Sequence, residues 1–234
     1  MLDLDRFDVL TFDCYGTLID WEAGIVAAAQ PTLAGHGVTA TDDEVLERYA
    51  RHEAALEAGP YQSYRGILAG AFGGLADELG IEVTAEELAA FGGSVPDWPA
   101  FADSTDALAR LAGQYRLGVI TNSDEDLFAG SAARLGVPFE WVITAEHAQD
   151  YKPSIAPFVL ALEEIDVPKD RVLHVAQSLY HDHVPAKELG LATVWVNRRH
   201  DRPGFGATPP AEAAPDLEVP DLATLADLAE ATRA

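Results

Sequence analysis

Phe7-Asp8-Val9-Leu10-Thr11-Phe12-Asp13-Cys14-Tyr15-Gly16-Thr17-Leu18-Ile19-Asp20 is the stretch on which the fold reading turns. A short apolar run ends on an acid and then breaks into a Gly-Thr turn. Open α/β sheets bind their ligands outside the carboxyl ends of the strands, and a glycine there lets backbone amides turn toward an anion. Asp13 is therefore the candidate nucleophile of a parallel-sheet enzyme.

Working outward, apolar runs of strand length recur at Leu117 to Ile120, Trp141 to Ile143, Val172 to Ala176 and Thr193 to Val196. Segments of helical length separate them: Ser104 to Gln114, Asp126 to Leu135, Ile155 to Ile165 and Val184 to Leu189. Strand and helix in alternation predict a parallel sheet with helices on both faces. Gly118, Gly136 and Gly190 are read as lying near helix-to-strand junctions. Between Asp20 and about Pro96 the pattern becomes almost wholly helical, over Glu22 to Leu33, Asp43 to Leu56, Tyr64 to Leu79 and Ala85 to Phe91. Thr41 with Glu44, and Thr84 with Glu87, have capping-box spacing and mark two helix starts. Inserted after the first strand, these helices would form a lid over its carboxyl end. Arg202 to Pro215 reads as a loop, followed by an edge strand at Leu217 to Val219 and a final helix from Leu222.

The 234 residues are 48% hydrophobic, enough for one domain with a sizeable insertion. No apolar run approaches the roughly 20 residues that span a bilayer, and the N-terminus lacks the order of a signal peptide, so a cytoplasmic protein is expected. The single cysteine, Cys14, excludes an internal disulfide and a multi-cysteine zinc site, and reads as buried filler. A formal net charge of −24 opposes binding to nucleic acid or an anionic membrane. With lysine present only at 152, 169 and 187, any cation close to Asp13 draws attention.

Three further segments join the first: Thr121-Asn122-Ser123, Tyr151-Lys152-Pro153 and Val172-Leu173-His174-Val175-Ala176-Gln177-Ser178-Leu179-Tyr180-His181-Asp182. A lysine within ~4–6 Å of a carboxylate lowers its pKa by ~1–3 units. In this order the four segments resemble the motifs of the haloacid dehalogenase superfamily, and most closely those of its hydrolytic (S)-2-haloacid dehalogenases. Superfamily phosphatases carry an acid two places after the nucleophile and a Gly-Asp at the end of the fourth-motif strand; here Tyr15 and Ala176-Gln177 stand there, a poor oxygen cage for a hard cation.

The resemblance implies a Rossmann-like core of residues 1–20 and 96–234, a helical cap of residues 21–95, and no metal or other cofactor. It implies that Asp13 displaces halide from a small 2-haloalkanoic acid to form an ester, which water then hydrolyses to the 2-hydroxy acid. Tyr15, Thr17, Thr121, Asn122, Lys152 and Ser178 would orient substrate and nucleophile, and Asp182 would promote hydrolysis. Arg48 or Arg51 would receive the halide in the lid, the spacing toward Glu53 and Tyr61 favouring Arg48. The chain departs from the dehalogenase pattern at Gln177-Ser178-Leu179, where that group has Ser-Ser-Asn, and His181 reads equally as a pocket group or a structural partner. A small haloacid and its halide are the expected partners, and a homodimer is compatible with the resemblance. Rival readings are a hydrolase of another 2-substituted carboxylate, a magnesium-dependent phosphatase, and a binding module that has lost catalysis.

Overall fold

The structure, a computed structural model, describes residues 2–201 and 207–233. Six strands, β1 (Val9–Phe12), β2 (Arg116–Thr121), β3 (Trp141–Thr144), β4 (Val172–Ala176), β5 (Ala192–Val196) and β6 (Leu217–Val219), form one sheet in the order β3-β2-β1-β4-β5-β6. Every pairing is parallel. The chain moves outward from β1 through β2 and β3, then crosses to the opposite side of β1 with β4. The point of reversal opens a crevice at the carboxyl ends of β1 and β4, where such sheets bind ligands. Register aligns Phe12 with Val119 on one side and with Val175 on the other, so the residues following all three emerge together.

Successive strand residues point to opposite faces. Val9, Ile120 and Val172 accordingly join the cluster built on Phe158 and Ala161 of helix α8 (Ala156–Glu164) and Ala186 of α9 (Val184–Glu188). Leu10, Val119 and Leu173 face the other way, toward α5 (Ser104–Ala112), α6 (Glu125–Leu135) and α10 (Leu222–Arg233). A four-residue turn of helix, α7 (Ala145–Ala148), follows β3. Gly136 and Gly190 lie at positive φ, +73° and +72°, where α6 and α9 give way to the next strands. Gly118, expected at a junction, lies inside β2.

Between β1 and β2 come the four cap helices, α1 (Trp21–Gly35), α2 (Asp42–Glu57), α3 (Tyr64–Glu78) and α4 (Ala85–Gly92). Both expected capping boxes form: Thr41 and Thr84 each accept from the amide three residues on and donate their own amide to Glu44 and Glu87. Within the cap Phe72 and Phe91 stack at 4.5 Å, and the cap's buried side chains are continuous with those on one face of the sheet. It meets the sheet at Trp98, whose ring occupies the space a side chain at Gly24 would need. The Asp124 carboxylate, beyond β2, accepts the backbone N–H groups of Tyr64 and Arg65 at 2.7 and 2.9 Å and ties the start of α3 to the catalytic edge. Of the expected loop over 202–215, residues 202–206 lie outside the described residues, and 207–215 are irregular. Among the described residues no helix is long and apolar enough to cross a membrane.

Candidate active site

Asp13 follows β1 with its amide donating to Val175 of β4 and its carboxylate almost fully buried. Gly16, at φ +93°, turns the chain so that Thr17 Oγ1 reaches back and donates to Asp13 Oδ2 at 2.6 Å. The Gln177 amide in turn donates to Thr17 Oγ1 at 2.8 Å, so the hydroxyl is fixed from both sides. The other carboxylate oxygen, Oδ1, accepts from Lys152 Nζ at 2.9 Å.

Lys152 is buried, and its ammonium has three protons. They go to Asp13 Oδ1, to Asp182 Oδ1 at 2.6 Å and to the Ile120 carbonyl at 2.9 Å. Asn122 fixes the lysine backbone from both directions, its Oδ1 accepting from Lys152 N at 2.8 Å and its Nδ2 donating to Lys152 O at 3.0 Å. Burial works against the charge on Lys152, but Asp13 and Asp182 outweigh it and hold the ammonium protonated above its ordinary range. Burial also opposes ionisation of Asp182, yet Lys152 and then His174 hold that carboxyl well below the usual carboxylate value. For Asp13 the balance tips the other way. Burial pushes its carboxyl up, and Lys152 offsets this incompletely because Asp182 shares the same ammonium. The expectation that the lysine would leave Asp13 depressed is thus corrected: the depressed partner is Asp182.

Behind this triad lies a residue of the fourth motif to which the family resemblance gives no role. His174, fully buried in β4, contacts Asp182 Oδ1 through Nε2 at 3.0 Å and Thr11 Oγ1 through Nδ1 at 3.0 Å. A histidine in an otherwise apolar strand, eight residues before the acid, was the available signal. Asp182 Oδ2 is buried and has no hydrogen-bond partner among the described residues.

Asp13, Tyr15, Asn122, Lys152, Ser178, His181 and Asp182 line one small cavity. Tyr15 OH contacts Ser131 Oγ at 3.1 Å, and burial pushes its pKa far up, so it remains a neutral phenol. Ser178 Oγ accepts the His181 amide at 2.9 Å at the start of a π-helical turn, Leu179–His183, that carries Asp182 inward. His181 is held neutral, its pKa pushed down to about 4 by burial. It is a pocket group.

Two expectations are corrected. Arg48 does not line the cavity: α2 turns Tyr49 and Glu53 inward, and Arg48, about 100° around the helix, donates to Glu78 of α3 at 2.8 Å. Arg51 pairs with the same carboxylate. What α2 presents to Asp13 is acidic, Glu53 and Glu57, with Tyr64 of α3 beside them. Thr121 also stays out of the cavity, buried at the end of β2 with no partner for Oγ1 among the described residues.

The donor set does not fit magnesium. Of the four carboxyl groups lining the cavity, Asp13 and Asp182 are already bridged by an ammonium, Glu53 and Glu57 are pushed toward their neutral forms by burial, and Tyr15 and Gln177 add no anionic oxygen.

Comparison with known proteins gives a consistent family. Over 93% of this chain and 94% of its own, an (S)-2-haloacid dehalogenase from Pseudomonas putida is 26% identical. The 5-amino-6-(5-phospho-D-ribitylamino)uracil phosphatase YigB of Escherichia coli strain K12 is 28% identical over 96% of this chain and 97% of its own. The solved L-2-haloacid dehalogenase of Xanthobacter autotrophicus superposes with a TM-score of 0.79 at 21% identity, covering 96% of this chain and 98% of that one, a likeness of fold. A family model described as haloacid dehalogenase-like hydrolase matches residues 7–187, and the chain, a hydrolase built on this Rossmann-like core and helical cap, belongs to that family.

Proposed function

We propose that this hydrolase converts small 2-haloalkanoic acids to 2-hydroxy acids through a covalent ester on Asp13. The observation that carries the reading is the arrangement of that carboxylate, fixed by Thr17 on one oxygen and by Lys152 on the other at the floor of a small cavity. An oriented carboxylate splits one difficult displacement into two easier steps. In the first, an Asp13 oxygen attacks the carbon bearing the halogen, and halide departs with the bonding pair. In the second, water attacks the Asp13 acyl carbon and the hydroxy acid leaves with the oxygen that Asp13 supplied. Asp182 acts in this second step. Its Oδ1 is tied down by Lys152 and His174, and Oδ2 is left to orient the water and take its proton. Tyr15, Asn122 and Ser178 surround the substrate, while Thr17 and Lys152 spend their hydrogen bonds on the nucleophile.

Tyr15 and Gln177 support this reading over phosphate-ester hydrolysis, because neither supplies an acid for a metal or for a leaving alkoxide. Halide and phosphate release, each assayed with and without EDTA, test it. Release of chloride or bromide from 2-halopropionates that persists in EDTA, with no phosphate released from small phosphate esters, is the expected result. A strict magnesium requirement or efficient phosphatase activity would overturn the proposal.

A further inference from the structure

Glu53 and Glu57, four residues apart on α2, point from one face of that helix into the cavity whose floor is Asp13. Glu53 is buried, and its Oε1 accepts the hydroxyl protons of Tyr49 at 2.8 Å and Tyr64 at 3.0 Å. Glu57 closes the last turn of the helix with its side chain 11% exposed. Its Oε1 lies 3.4 Å from Asn122 Nδ2, and its Oε2 lies 4.0 Å from His181 Nε2. Among the described residues no arginine or second lysine lines this cavity. Asp182, whose Oδ2 is buried with no hydrogen-bond partner among the described residues, lines the same cavity.

An anionic halide could not leave toward two ionised carboxylates; it could leave toward a carboxylic acid. We propose that Glu57, in its protonated form, is the hydrogen-bond donor to the departing halide, and that this donor assists fluoride, the halide that accepts hydrogen bonds most strongly, more than bromide. This inference rests on the dehalogenase reading and names its leaving-group partner. The balance is simple. An Asp13 oxygen bonds to C2, the C–F pair leaves as fluoride, and Glu57 keeps its proton while sharing it. Hydrolysis of the ester then restores Asp13 and releases one proton to solvent. A positioned donor at a developing charge acts only as that charge appears, which is how such groups accelerate a step.

The groups around Glu57 keep it in the donor form. Burial, followed by the neighbouring Glu53, holds its carboxyl well above the ordinary range, against the weaker pulls of Asn122 and Lys152. Burial pushes Glu53 itself up to about 7, and the hydroxyls of Tyr49 and Tyr64 offset this only in part. From α3 and from the segment before Lys152, Tyr64 and Tyr151 face the pair as neutral phenols, and from the π-helical turn His181 faces it uncharged. Beneath lie the Asp13 and Asp182 carboxyls, both bonded to Lys152. Glu57 donates below its raised pKa, and fluoride release falls as pH rises through it.

The test compares fluoride, chloride and bromide release from the 2-halopropionates by the wild-type enzyme, Glu57→Gln, Glu57→Ala and Glu53→Gln, from pH 5 to 10. Gln still donates a hydrogen bond but does not titrate. Expected are an alkaline limb in wild-type fluoride release that persists in Glu53→Gln and vanishes in Glu57→Gln, with activity retained within about tenfold in the latter. Glu57→Ala should lower fluoride release by about 100-fold, the cost of losing one such donor, and bromide release by far less. Equal losses for the three halides in Glu57→Ala, no loss at all, or an alkaline limb unchanged in Glu57→Gln would overturn the inference and leave the dehalogenase reading standing. A wild-type enzyme that releases no halide from any of the three, with no adduct on Asp13, would overturn that reading and this inference with it.

Discussion

Replacing Asp182 by Asn separates the two chemical steps and should move them in opposite directions. Asp182 and Asp13 bond the same Lys152 nitrogen at 2.6 and 2.9 Å, so their oxygens are no more than about 5.5 Å apart. Two unit charges at that distance repel by roughly 3 kcal/mol at an effective dielectric constant of about 20, equivalent to on the order of two pKa units. Asp182 is one of the groups that push Asp13 upward. With its charge removed, Asp13 ionises at lower pH, and the acid limb of ester formation should shift down by one to two pH units. The second step loses the acceptor for the water proton, typically a 100- to 10,000-fold effect. Quenched-flow halide measurement should therefore show a burst of about one halide per enzyme and then a stall. Mass spectrometry should find the adduct on the peptide containing Asp13. A variant with neither burst nor adduct would show that Asp182 acts before ester formation. Normal turnover would instead transfer the water-positioning role to Ser178 or His181.

Arg48→Ala and Arg51→Ala should each leave halide release within about twofold of wild type, because both side chains pair with Glu78 in partly exposed positions, where such pairs contribute ~0–1 kcal/mol; steady-state kinetics with a tenfold loss would return one of them to the cavity. Gly24→Ala should lower stability by about 1–3 kcal/mol, since the added Cβ would lie 2.2 Å from Trp98 Cγ, an overlap that a rigid indole at the cap–core junction cannot absorb. A thermal melt unchanged from wild type would refute that packing. Thr17→Val should slow ester formation without changing the partition of the ester, because the hydroxyl bonds Asp13 and the Gln177 amide; single-turnover rates in which only hydrolysis slows would contradict it.

Much of this architecture was legible because it rests on short-range rules. Strands that lead into Asp13, Asn122 and Gln177 announce themselves by apolar runs broken by polar turns, and two of the cap helices by capping boxes at Thr41 and Thr84. The Asp13–Lys152–Asp182 cluster followed from family likeness, and its geometry from parallel register. What sequence could not supply was helix rotation. Arg48 and Glu53 are both polar residues on α2, and the packing of that helix through Val45, Leu46 and Tyr49 turns Glu53 rather than Arg48 to the nucleophile. His174 was hidden for a related reason, since its partners Thr11 and Asp182 are 163 and 8 residues away. The balance at Asp13 was misjudged because a pairwise rule cannot anticipate that Lys152 is shared.

Single-turnover hydrolysis of 2-chloropropionate in ¹⁸O-labelled water, with enzyme in excess, tests the nucleophile most directly. The account predicts that the label enters the Asp13 carboxylate, found by mass spectrometry of its peptide, and that the 2-hydroxypropionate formed in that first turnover is unlabelled. Label in the hydroxyl of the product, with none on Asp13, would mean direct attack by water and would contradict the account.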